Sequence, residues 1–374
     1  MIQRIYVHNY RCLENFELPL GTSSSTLLIG KNGAGKTTVG AALEVLQKIA
    51  RGTNRVGELI RPKDIAHQRS EVPVRFEIEV KLGTKVYAYT VAFEFPDGFR
   101  ELRVVDERLM VDGRPALTRE LAQVRLARTG RDTEASFRLD WHLVALPVIQ
   151  PQASNDPISV FRQWLANTLI LRPVPGLARG ASEAGTLQPN TCVTNIGEWF
   201  YGLLASSPSS YTKIDSILKM VMPDLQDIKN PETLGGQYRN LFVRFSGSTG
   251  TITLPFEDLS DGEKCFLICA LTIAANDAYG PLLCFWDEPD NFLAPSEVGH
   301  CIMSLRKAFR NKGQLIVTSH NPEAIRRFSD ENTLVLYRNS HLEPTIARSI
   351  EDLRIAGGVK GNFVDALLRG DIDV

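Results

Sequence analysis

No pair of C-x-x-C elements occurs in this chain of 374 residues, and its six cysteines stand at spacings that suit core packing better than a metal. A zinc centre is therefore not expected. Long apolar runs are missing as well: no stretch nears the ~20 residues needed to cross a bilayer, and Met1 leads straight into a strand-like segment rather than a signal. No membrane partner is expected, and a reduced, cytoplasmic setting is. Sustained heptads are absent, so no long coiled-coil arm is expected. Neither sign of charge dominates, with Lys and Arg at 42, Asp and Glu at 43, and a net charge of -1. That balance argues against a general polybasic coat for nucleic acid. Two local clusters, Lys48, Arg51, Arg55, Arg61 and Lys63, then Arg125, Arg128 and Arg131, keep a nucleic-acid partner open, although solvated faces are the default.

What the chain does contain is a glycine-rich octet, Gly30-Lys31-Asn32-Gly33-Ala34-Gly35-Lys36-Thr37. Before it, Ser25 to Ile29 is an apolar run long enough for one buried strand. After it, Thr37 to Arg51 is an alanine-rich amphipathic stretch. Strand, loop and helix in that order turn consecutive backbone N–H groups and a helix N-terminus toward the phosphates of a nucleotide. Gly30, Gly33 and Gly35 permit the tight turn, Lys36 adds a positive charge, and Thr37 offers a hydroxyl to Mg²⁺. Asn32 and Thr38 complete the expected ATP-binding set.

Two further apolar strands end in polar groups. Pro281 to Trp286 runs into Asp287-Glu288-Pro289, as a buried parallel strand delivering charge at its C-terminal edge would. Asp287 is placed to hold Mg²⁺ through water, and Glu288 to orient or deprotonate an attacking water. Gln314 to Thr318 leads into Ser319-His320-Asn321-Pro322, where His320 can sense a γ-phosphate by donating a hydrogen bond. Upstream of both, Leu259-Ser260-Asp261-Gly262-Glu263-Lys264 opens a helical stretch, with Ser260, Gly262 and Glu263 as further phosphate-side candidates.

These elements together resemble the ABC-type ATPases, within them the branch of RecF, the structural-maintenance-of-chromosomes (SMC) proteins and the overcoming-lysogenization-defect (OLD) proteins. Ile5 to Phe16 is similar to that branch's opening hairpin with its N-[FY]-R segment, making Arg11 a candidate phosphate or adenine-side contact. The strings L-S-D-G-E-K, D-E-P-D-N-F-L-A-P and T-S-H-N-P are similar to those of stand-alone AbiEii-like ATPases associated with phage defence. The resemblance implies a homodimer with ATP sandwiched between the Gly30–Thr37 loop of one copy and Ser260 to Glu263 of the other. It also implies a lid glutamine, for which Gln68 is the candidate metal contact. The chain departs from the pattern where Asn291-Phe292-Leu293 is followed by Ala294 rather than Asp, so communication between the two sites is expected to differ.

About 220 residues separate Lys36 from Ser260, too many for an unstructured connection. Val72 to Val80 and Lys85 to Phe93 alternate as strands of an antiparallel meander, with Asp97-Gly98 and Asp112-Gly113 as hairpin turns. Arg119 to Ala127 is expected to form a short amphipathic helix. Pro157 to Leu169, Thr194 to Leu204 and Tyr211 to Met222 show helical spacing. Arg172 to Ser182, rich in Pro, Gly and Ser, is expected to be a mobile surface loop, open to a partner-binding role or to that of an ordinary connection. The expected fold is α/β, a P-loop NTPase with two-lobe ABC-ATPase architecture, an antiparallel β meander and an inserted helical subdomain. The expected segments are a first ATPase lobe at 1–98, an inserted region at 99–250 and a second lobe at 251–374. About 54 residues follow His320, too few for a complete nuclease domain, so an effector nuclease or toxin is expected on a separate polypeptide. A gated defence switch and a RecF-like DNA-binding ATPase are the two functional readings this leaves.

Overall fold

The computed structural model describes residues 1–357 except 22, 97, 99, 128–134, 151–155, 234, 237 and 329–331, with side chains as far as 353. Asp97 of the first expected turn and Arg128 and Arg131 of the second basic cluster lie outside the described residues. The chain forms two compact units, one from residues 1–23, 28–168 and 330–374, the other from 24–27 and 169–329. The first contains β1 (Ile2–His8), β2 (Phe16–Leu18), the end of β3 (Ser25–Ile29), α1 (Lys36–Ala50), α2 (Val56–Leu59), β4 (Val74–Leu82), β5 (Lys85–Glu94), β6 (Arg103–Val111), β7 (Arg114–Glu120), β8 (Gln123–Leu126), β9 (Ala135–Arg138) and α3 (Pro157–Ala166). The second contains β10 (Leu169–Leu171), α4 (Ile196–Ser206), α5 (Ser210–Lys219), β11 (Leu225–Lys229), β12 (Phe242–Gly247), β13 (Gly250–Pro255), α6 (Asp261–Tyr279), β14 (Leu283–Asp287), α7 (Pro295–Phe309), β15 (Gln314–Thr318) and α8 (Pro322–Arg326). Returning to the first unit are β16 (Thr333–Tyr337), β17 (Ile346–Ser349) and α9 (Ile350–Gly357).

In the first unit an eight-stranded sheet runs β2-β1-β4-β5-β6-β7-β8-β9. Period-two patterning builds it: Val74, Phe76, Ile78 and Val80 of β4 are buried, while Arg75, Glu77 and Glu79 alternate outward. Asp112 and Gly113, at φ 49° and 75°, form the two-residue left-handed turn that matches strand twist between β6 and β7. The helix expected over Arg119 to Ala127 is not there; β7 and β8 occupy it. Within this hairpin Arg119, a charged residue near the end of β7, is 1% exposed. Its guanidinium donates to the carbonyls of Leu121, Asp140 and Leu143 and faces Glu107 at 3.8 Å. Glu107 in turn accepts from Tyr89 Oη and the amides of Ala145 and Leu146. Burial pushes the Glu107 carboxyl above its usual range and the Arg119 guanidinium below. Removing one partner of such a pair costs about 3–5 kcal/mol, which fixes the strand register.

In the second unit β10, β14 and β15 are parallel, and the Ser24 carbonyl accepts from the Leu315 amide at the start of β3. Every residue of β14 and β15 is buried, as continuous apolar runs require in a parallel sheet. Helix α6 is buried from Lys264 to Asn276 around its whole circumference, so it is a core helix rather than an amphipathic one. The segment expected to be a mobile loop, Arg172 to Ser182, is instead a tied connection. Its backbone bonds to Thr191, Thr194, Arg239 and Leu241, the Glu257 carboxylate accepts from the Gly180 amide, and Ala178 and Ser182 are buried. Pro and Gly here serve close packing: a Cβ on Gly180 would lie 2.8 Å from that of Phe256.

Candidate functional site

The glycine loop of the first unit leaves β3 at Gly30 and enters α1 at Lys36. A Cβ on Gly30 would sit 2.1 Å from the Leu336 carbonyl oxygen of β16, so only glycine permits this approach. Gly35, at φ 99°, is the N-cap of α1 and would carry a Cβ 2.7 Å from Thr345 Oγ1. Side-chain capping from that position is thereby ruled out, and no acidic residue stands in the first turn. Such an N-terminus keeps the positive end of its dipole for an anion. Lys36 is 6% exposed, and its ammonium donates to the carbonyls of Gly30 at 2.8 Å and Lys31 at 3.3 Å. Thr37 is exposed at the helix start, beside half-buried Thr38, whose hydroxyl accepts from Cys12 Sγ at 3.6 Å. Asn32 and Gly33 are exposed on the loop.

Thr345 braces this loop, donating from Oγ1 to the Ala34 carbonyl while its amide donates to the Cys12 carbonyl. Arg338 Nη2 lies 3.6 Å from where a Gly33 Cβ would be, bringing a second cation to the loop. Neither residue carries a sequence signal, because both reach the loop from the β16–β17 connection, some 300 residues downstream in the chain. Arg11, also at positive φ, pairs with Asp64 at 2.9 Å and stacks over Tyr10. Gln68 is exposed in a left-handed conformation at φ 57°. Of the first basic cluster, Lys48 pairs with Glu44, Arg51 donates to the Ala166 carbonyl and Arg55 pairs with Glu101.

The second unit holds the acidic pair, the histidine and the signature turn. Thr318, at the end of β15, donates from Oγ1 to Asp287 Oδ1 at 2.6 Å and accepts from the Glu288 amide at 3.0 Å. This buried hydroxyl fixes both carboxylate residues, a role that the motif strings alone do not reveal. Asp287 is 8% exposed, whereas the Glu288 side chain is 35% exposed and stands on a left-handed residue at φ 55°. Holding a non-glycine residue there stores about 1–3 kcal/mol of strain, of a kind found at functional sites. Glu288 Oε1 lies 3.6 Å from His320 Nε2, and Oε2 accepts from Asn291 Nδ2 at 2.7 Å. Asp290, buried beside Ser319, has its carboxyl pushed up by burial, against a hydrogen bond from the Ser319 hydroxyl.

At the signature turn Ser260 is the N-cap of α6. Its Oγ accepts from the Glu263 amide at 3.3 Å, while its own amide and hydroxyl both donate to Glu263 Oε2 at 2.7 Å. This is a reciprocal capping box. Lys264 turns away, donating from Nζ to the Glu257 carbonyl. Gly262 admits the Phe292 carbonyl, which would lie 3.0 Å from a Cβ there. Burial pushes the Cys265 thiol up to about 12 and raises that of Cys284 too, as expected of packing residues.

Comparison with known proteins gives these features a setting. The family described as "RecF/RecN/SMC N terminal domain" matches residues 1–342. The solved structure "Crystal structure of the SmcHead bound to the C-winged helix domain of ScpA" has a TM-score of 0.58 at 14% identity, covering 94% of this chain and 99% of that one. At this identity the likeness speaks for the fold, a P-loop ABC-ATPase head. The OLD nuclease of Thermus scotoductus is 48% identical over 46 residues, 12% of this chain and 8% of that protein, so only a small part of the relative's length is matched. Among the described residues no helix is long and apolar enough to cross a membrane. With its glycine loop, acidic strand end and capped signature helix, the chain belongs to the RecF/RecN/SMC N-terminal domain family, a branch of the ATP-binding, ABC-type ATPases.

Proposed function

We propose that this chain is a nucleotide-gated dimeric switch that binds and hydrolyses ATP. Two copies meet head to tail, each ATP held by the Gly30–Thr37 loop of one and by Ser260, Gly262 and Glu263 of the other. Glu288 orients or deprotonates the attacking water, and His320 reads the γ-phosphate. The observation that carries the reading is the pair of helix N-termini in one chain, α1 led by glycines and a buried lysine, α6 led by the signature serine. Residues 1–98 and 251–374 are the nucleotide-handling lobes of this scheme, and 99–250 the insertion.

Mg²⁺ is the ion this chemistry calls for: the residues assigned to it, Thr37, Asp287 and Gln68, all offer hard oxygens, and among the described residues no group of three His, Cys, Asp or Glu forms an all-protein cage. When bound, the ion offsets charge on the phosphates. Closure follows because the contacts from Ser260, Gly262 and Glu263 to ATP exist only in the closed dimer, and loss of the γ-phosphate removes them.

The switch is assigned to cytoplasmic anti-phage defence, alongside the stand-alone AbiEii-like ATPases, gating a separately encoded nuclease or toxin. The short match to an OLD nuclease supports that setting. RecF in the family's description favours a second reading, a DNA-binding repair ATPase. Steep salt-dependent DNA binding in the ATP state would select that reading over effector gating. The switch itself is tested by dimerisation in ATP: Glu288→Gln should remain closed, with hydrolysis reduced by about 10²–10⁴-fold, whereas Lys36→Ala should not close. Equal dimer populations in the two variants would contradict it.

A further inference from the structure

A carboxylate that directs a water must be held in place, and the loop after Glu288 does this with a residue to which the sequence reading gives no role. We propose that Asn291 is a positioning residue that fixes Glu288 and ties it to the signature helix. The inference rests on the reading of Glu288 as the group that handles water.

Three observations carry it. Asn291 Nδ2 donates to Glu288 Oε2 at 2.7 Å, while His320 stands 3.6 Å from Oε1, so each carboxylate oxygen has its own neighbour. The Asn291 amide also donates to the Glu288 carbonyl at 3.2 Å, closing a turn around the left-handed Glu288 backbone. From the other side, the Asn291 carbonyl accepts from Cys265 Sγ at 3.8 Å, and the next carbonyl, that of Phe292, packs on Gly262. Cys265 and Gly262 belong to the first turns of α6, the helix capped by Ser260. A shift of that helix start is therefore transmitted through the Asn291 backbone to a side chain that grips the carboxylate. Packing does not account for the bond, because Asn291 is exposed. A charge-assisted hydrogen bond at an exposed site contributes more to placement than to folding. Asn291 also stands in the segment where the sequence departs from the ABC pattern at Ala294. The grip is thus a local means of coupling the signature turn to the water-handling group.

The test uses the full chain, with steady-state ATP hydrolysis, ATP affinity and unfolding midpoint measured for wild type, Asn291→Ala and Asn291→Asp. The aspartate keeps the shape of asparagine, removes the N–H donor and brings a like charge to Glu288. Positioning predicts that kcat falls about 10- to 100-fold in both, at least as far in Asn291→Asp, with KM and ATP affinity held within about twofold. A packing role predicts the opposite order, Asn291→Asp close to wild type and Asn291→Ala impaired. Wild-type kcat in Asn291→Asp, or a loss confined to KM, would overturn the inference while leaving the ATPase reading intact. If wild type hydrolyses no faster than Lys36→Ala, the ATPase reading itself falls, and this inference with it. Should Asn291→Ala fold poorly, the isosteric Asn291→Asp decides.

Discussion

Helices α1 and α6 begin in opposite ways. At α1 the N-cap is Gly35, whose conformation and crowding leave no room for a side chain, and the first turn holds no acid. At α6 the N-cap is Ser260, locked in a capping box with Glu263, and Asp261 and Glu263 already place negative charge in the first turn. One N-terminus carries no negative group of its own; the other carries an internal one. An incoming phosphate strengthens the first at once, whereas the second must give up its bonds to Glu263 before Ser260 can turn to a ligand. In the proposed switch, this difference assigns binding to the loop and a conditional response to the signature turn.

The largest effect is expected at the open end. Lys36→Ala removes the buried ammonium and should lower ATP affinity about 100-fold, measured by equilibrium titration. Unchanged affinity would erase the contrast between the two termini. Ser260→Ala comes next: it should weaken ATP-dependent dimerisation about tenfold and lower unfolding stability by about 1 kcal/mol. A stability loss with no change in dimerisation would reduce Ser260 to a structural cap. Smallest is Gly262→Ala, whose added methyl meets the Phe292 carbonyl and should cost about 1 kcal/mol in denaturant unfolding. No loss there would mean that the loop after Glu288 is not seated on α6.

Much of this architecture is legible in the sequence because local chemistry and global placement agree there. Ser25 to Ile29, the octet and the helix after it form one uninterrupted strand–loop–helix. Leu283 to Asp287 and Gln314 to Thr318 read as buried parallel strands with polar ends, and they are. Legibility fails where long-range polar contacts override patterning. Arg119 is charged yet enclosed by carbonyls and Glu107, so a period count assigns it to the wrong face. Pro and Gly between Arg172 and Ser182 suggest mobility, but glycine serves close approach just as well. Thr318, Thr345 and Asn291 act through a few specific hydrogen bonds that no periodicity or spacing specifies. A hydroxyl or amide with well-placed partners leaves no periodic trace.

The central claim is that each ATP is shared by two copies, and mixing two defective chains tests it most directly. Lys36→Ala and Ser260→Ala chains each carry one broken half of every composite site. Heterodimers contain one doubly broken site and one in which both halves are intact. ATP hydrolysis in an equal mixture should therefore recover toward about a quarter of the wild-type rate, well above either variant alone. A mixture no more active than the average of the two separate variants would contradict a shared site.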